Sequence, residues 1–108
     1  MSAEKISIAI VDDHTLFRSG LASLLDEFDE IEILFEGTNG QDLQTKIKNQ
    51  PDVDLILMDI IMPVMDGFAA TKWIKEYHPN VNVLALSMLE DEKAIIGMLR
   101  AGASGYML

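Results

Sequence analysis

Apolar and polar positions change period repeatedly along this chain, and the changes divide it into short strands and longer helices. Ile6-Ser7-Ile8-Ala9-Ile10-Val11 is a β-branched run that predicts a strand. From Leu16 the apolar positions fall at Leu16, Phe17, Gly20, Leu21, Leu24, Leu25 and Phe28, a one-sided stripe at helical spacing expected to pack on a sheet. Ile31 to Glu36 reads as a second strand, residues 37 to 40 as a turn, and Asn39 as the N-cap of a helix running towards Gln50, where Pro51 stops it. Leu55-Ile56-Leu57-Met58 is short and uncharged and ends at Asp59, which suits a central strand buried on both faces. After the loop from Ile60 to Met65, Asp66 can cap a helix carrying Phe68, Trp73, Ile74 and Tyr77, with His78-Pro79-Asn80 at its end. Val81 to Leu86 predicts a fourth strand with Ser87 at its exit, Glu90 to Arg100 a further helix ended near Gly102, and Gly105 to Leu108 the start of a fifth strand. Strands alternating with helices in this way predict an α/β fold, a parallel sheet covered on both faces.

Composition narrows the possibilities. At 108 residues, without an internal repeat or linker, residues 1–108 are expected to form one core with room for one site. No apolar stretch approaches the ~20 residues of a membrane-spanning helix, and the start, Met1-Ser2-Ala3-Glu4-Lys5, lacks a signal-peptide pattern. A cytoplasmic protein is expected. The absence of cysteine excludes disulfides, thiolate metal sites and cysteine nucleophiles. A formal charge of −10, from 8 Lys and Arg against 18 Asp and Glu, repels a phosphate backbone, so this domain alone is not expected to bind nucleic acid. The same acidity suits either a solvated surface or a cation site.

Ligands of open α/β sheets bind beyond the carboxyl ends of the strands, where strand order reverses. Asp12, Asp13, Asp59 and Ser87 stand at those ends. Two carboxylates about 4 Å apart repel by roughly 4 kcal/mol at an effective dielectric near 20, so three in one crevice need a compensating charge or proton. All-oxygen ligands suit a hard cation, and few protein ligands with room for water and phosphate oxygens favour Mg²⁺ over caged Ca²⁺. Each residue taken singly has a plainer explanation: Asp12 or Asp13 as a helix cap, Asp59 as a turn residue, Ser87 as a cap, and Pro63, Asp66 and Gly67 as loop and helix-start chemistry. Only the joint arrangement shifts the balance. His14 beside the acids reads as incidental, and the methionines read as core filler.

Val11-Asp12-Asp13-His14, Met58-Asp59-Ile60-Ile61-Met62-Pro63, Asp66-Gly67, Leu86-Ser87 and Gly105-Tyr106 occur in the order and approximate spacing of bacterial response-regulator receiver domains, and the chain resembles that family over its whole length. Residues 12–21 and 101–106 look like the NarL/LuxR-type subgroup. The resemblance implies a flavodoxin-like (CheY-like) doubly wound sheet of five parallel strands in the order 2-1-3-4-5. It implies that Asp59 is the phosphoacceptor nucleophile, taking a phosphoryl group from the phosphohistidine of a sensor histidine kinase or from a small phosphodonor. Mg²⁺ is then expected on Asp13, Asp59, Asp12 directly or through water, and the backbone carbonyl of Ile61. Ser87 is expected to hydrogen-bond a phosphoryl oxygen, and Tyr106 to turn inward as Ser87 moves; packing alone would equally account for Tyr106. In the subgroup a DNA-binding helix-turn-helix domain usually follows, so transcriptional output is expected through a domain outside this chain. Such a chain is a phosphoacceptor switch rather than an enzyme.

Two departures stand out. Met88 occupies a position that is commonly small in the family, and Leu108 stands just before the place of the family's active-site lysine and last helix. A truncated receiver, or one whose missing helix is replaced by contacts from another copy, is the expectation; an uncovered sheet face would favour a homodimer. A receiver-like docking module that is never phosphorylated is the main alternative. A flavodoxin FMN site fits less well because Asp12 and Asp13 would repel the phosphate, and a haloacid-dehalogenase-type phosphatase needs a second Asp where Ile61 stands.

Overall fold

The computed structural model describes residues 5–86 and 92–107. The elements run β1 (Ile6–Val11), α1 (Thr15–Asp26), β2 (Ile31–Gly37), α2 (Gly40–Ile47), β3 (Leu55–Asp59), α3 (Gly67–Tyr77), β4 (Asn82–Leu86), α4 (Glu92–Ala101) and β5 (Gly105–Met107). All four strand pairings are parallel, and the order is β2-β1-β3-β4-β5. This is the flavodoxin-like, CheY-like arrangement expected from the sequence. Strand order reverses between β1 and β3, whose register pairs Val11 with Met58. The two strands therefore end side by side.

Successive strand residues face opposite sides of the sheet, and the two sides are unequal. Ala9, Val11, Ile56, Met58, Val83 and Ala85 face a continuous core closed by Leu43 and Ile47 of α2, Ala70 and Ile74 of α3 and Met98 of α4. Ile8, Ile10, Leu57 and Leu86 face the other side, where Leu21, Ala22 and Leu25 of α1 pack on them and Leu55 and Leu84 are only partly covered. β3 is buried on both faces, as its uncharged run predicted.

The stripe on α1 is broader than the contact it makes. Leu21, Ala22 and Leu25 span an arc of about 100° on the helical wheel and meet the sheet. Leu16 is 88% exposed, and Leu24 and Phe28 are also exposed, contrary to the expectation that the whole stripe packs on the sheet. A single helix on a sheet can bury only one such arc, and apolar positions outside it need another neighbour.

Helix boundaries follow local chemistry. The Asn39 side chain accepts a hydrogen bond from the Asp42 amide (2.9 Å), and α2 begins after it. α2 stops at Ile47, short of the expected Gln50, and the amides of Asn49 and Gln50 instead close four-residue turns to the Lys46 and Ile47 carbonyls. No helix among the described residues is long and apolar enough to cross a membrane.

Candidate functional site

Pairing at the reversal point sets the positions of the acids. The Asp12 amide donates to the Gly37 carbonyl (3.0 Å), which prolongs the β1–β2 contact one residue past the strand, and Asp12 is buried. Asp59 is the last residue of β3 and is also buried. The Asp12 carbonyl accepts from Nη1 of Arg18 (2.5 Å), and Nε of Arg18 pairs with Glu36 at 3.1 Å, so the first turn of α1 is tied to Asp12 and to β2.

Behind Asp59 the backbone is close-fitting. The Gly67 amide donates to the Ile60 carbonyl (2.8 Å), and a Cβ at Gly67 would lie 2.2 Å from the Asp59 carbonyl oxygen. Only glycine allows α3 to start there. Asp66 caps the helix by accepting from the Ala69 amide (3.0 Å), so Asp66 and Gly67 serve the loop and helix start, as their plainer explanation held. Between Asp59 and that cap, the Met65 amide bonds back to the Pro63 carbonyl (2.7 Å) across Val64, whose φ is 69°. This is a γ-turn of the rare, strained form, placed on a β-branched residue.

Asp12, Asp13, His14 and Asp59 each offer a donor atom, and these four atoms lie within 4.8 Å of one another. Nδ1 of His14 is 3.2 Å from Oδ1 of Asp12, 3.3 Å from Oδ1 of Asp13 and 3.9 Å from Oδ2 of Asp59. Oδ1 of Asp12 also accepts from the His14 amide at 2.7 Å, a local turn that explains part of its burial without a ligand. Burial, then the negative charges of Asp12 and Asp13, push the Asp59 carboxyl up to about 7. The hydrogen bond to Asp12 and the charge of Asp13 hold the exposed His14 imidazole in its protonated form to higher pH than usual. Oδ1 of Asp13 is buried yet has no hydrogen-bond donor. A buried anionic oxygen without a hydrogen bond, among three carboxylates, fits a bound cation, and the carboxylates suit a hard ion such as Mg²⁺.

The remaining expected residues are placed as follows. Ile61 lies in the loop after β3, two residues beyond Asp59, with its side chain exposed. Tyr106 lies in β5 opposite Ala85 and is 50% exposed. Ser87 and Met88 lie outside the described residues. His14, set aside in the sequence as incidental, stands among the acids; the signal that could have found it was its place directly after Asp12 and Asp13 at a strand's carboxyl end.

Residues 8–108 match the family model described as "Response regulator receiver domain". The chain belongs to that family. Among its relatives, it is 41% identical to the transcriptional regulatory protein DegU of Brevibacillus brevis, over all of this receiver and 45% of DegU. It thus spans about half the length of the curated relatives it matches. Among solved structures, the signal receiver domain of the putative response regulator NarL from Mycobacterium tuberculosis superposes with a TM-score of 0.89 at 29% identity, covering 96% of this chain and 83% of that one. A CheX–CheY–BeF₃–Mg complex from Borrelia burgdorferi superposes at 0.87 with 27% identity, covering 97% and 78%. Receivers are signalling domains rather than classical enzymes, and the relatives of this one include transcriptional regulators.

Proposed function

We propose that this receiver accepts a phosphoryl group on Asp59 from the phosphohistidine of a cognate sensor histidine kinase, in a Mg²⁺-dependent reaction. The observation that carries the reading is the gathering of Asp12, Asp13 and Asp59 at the ends of the two central strands. A carboxylate oxygen of Asp59 attacks phosphorus, the bond from phosphorus to the histidine nitrogen breaks, and its electron pair leaves with the imidazole. The attacking form is the ionised one, and unaided Asp59 is only half ionised near pH 7. A divalent cation, when bound, supplies the positive charge that favours the ionised form and screens the incoming phosphoryl oxygens.

Asp13 and Asp59 hold that cation, with Asp12 directly or through water and the Ile61 carbonyl completing the protein's share. Ser87 donates to a phosphoryl oxygen. Tyr106, half-exposed in β5, then turns inward and alters the surface of α4 and β5, where Ile96, Leu99 and Met107 are also exposed. Relatives such as the transcriptional regulatory protein DegU support a transcriptional output, which we assign to a helix-turn-helix domain outside this chain, in a cytoplasmic setting.

Incubation with acetyl phosphate and Mg²⁺ tests the reading by intact mass. A mass gain of one phosphoryl group that disappears in Asp59→Asn and on chelation supports it. No gain in the wild type favours a docking module that is never phosphorylated.

A further inference from the structure

We infer that His14 gives the acidic site a nitrogen ligand, so that borderline divalent ions such as Zn²⁺ and Co²⁺ occupy it in competition with Mg²⁺. The inference rests on the reading of Asp12, Asp13 and Asp59 as a cation site and extends it to the ion the site selects.

Geometry is the first ground. Two ligand atoms each about 2.1 Å from one ion, at a tetrahedral angle, lie about 3.4 Å apart. Nδ1 of His14 lies 3.2 and 3.3 Å from oxygens of Asp12 and Asp13, and 3.9 Å from Asp59. The imidazole edge that now faces Asp12 is the edge that would bind, so coordination needs the Nδ1 proton to pass to solvent and only small movements of the ring.

Placement is the second ground. The Asp12 carboxylate accepts from the His14 amide, which fixes where the histidine backbone stands relative to the acids. The ring is 67% exposed, and its Nδ1 is held at Oδ1 of Asp12 by a 3.2 Å hydrogen bond. Oδ1 of Asp13 is buried and makes no hydrogen bond, with Nδ1 of His14 at 3.3 Å, so it keeps a lone pair for an ion placed between the two.

Ligand chemistry is the third. Imidazole nitrogen suits Zn²⁺ and Co²⁺, whereas Mg²⁺ keeps water and takes oxygen. The ring therefore stays with a borderline ion and swings out for Mg²⁺. One side chain would set the discrimination between the two kinds of ion.

Titration of the purified protein with Mg²⁺ and with Zn²⁺ against a chromophoric chelator, for wild type, His14→Asn, His78→Asn and Asp59→Asn, tests this. His78 is the chain's other histidine and serves as control. The expected result is a loss of about tenfold or more in Zn²⁺ affinity in His14→Asn alone of the two histidine variants, with Mg²⁺ affinity within about twofold of wild type. In ¹⁵N-labelled protein the His14 ring signals should shift with Zn²⁺ and not with Mg²⁺. Equal Zn²⁺ affinity in wild type and His14→Asn, or a loss that follows His78, overturns the inference. If Asp59→Asn changes neither ion's affinity, the cation-site reading itself fails, which is a separate outcome.

Discussion

Asp59 carries two demands that conflict in the metal-free protein. Burial at the end of β3 excludes water from the reacting carboxyl, and the neighbouring Asp12 and Asp13 resist its ionisation. The folded state keeps the Asp59 proton up to about pH 7, whereas the unfolded chain releases it near the ordinary value of 3.8. Rising pH between those values therefore lowers stability, the penalty is complete above about pH 7, and below about pH 4 it vanishes. Its size is on the order of 2 to 4 kcal/mol. Urea denaturation in the presence of chelator should find Asp59→Asn more stable than wild type at pH 8 and indistinguishable at pH 4; equal stability at both would remove the conflict. The acids were legible from the sequence because strand ends place them. His14 was legible only in its place directly after Asp12 and Asp13, because whether a ring turns towards its neighbours depends on the loop's dihedrals, which a residue pattern does not encode.

At the scale of elements, the β3–α3 connection leaves no room for a side chain at Gly67. Gly67→Ala would drive a methyl group against the Asp59 backbone, and overpacking against backbone is expected to cost about 3 kcal/mol. Asp66→Ala loses only a cap, about 1 kcal/mol. Thermal melts of the two variants should rank them in that order. β1 and β2 were readable from runs rich in isoleucine and valine, β4 from a short apolar run, and β3, with its two-sided burial, from its lack of charge. The packing of α1 was not, since an apolar stripe reveals which positions are available for burial but not which neighbour takes them. Leu24→Gln, outside the arc that meets the sheet, should shift stability by no more than about 0.5 kcal/mol.

Taken as a whole molecule, the receiver carries a net charge of −10 and concentrates three of its carboxylates in one pocket. Salt should raise its melting temperature modestly by screening the general repulsion. Mg²⁺ at matched ionic strength should raise it further, because an ion bound only to the folded state adds about 2.7 kcal/mol at 100 times its Kd. Differential scanning calorimetry in NaCl and in MgCl₂ separates the two; equal melting temperatures would count against a specific ion. The seam between β3 and α3 has a further consequence for anyone rebuilding such a switch. With no clearance even for a methyl group behind the acceptor, strand, turn and helix start behave as one casting. A designer wishing to transplant the reactive aspartate into another scaffold would have to move residues 55–77 together, glycine included, because the reactive group grafted by itself would arrive without the backbone that aims it.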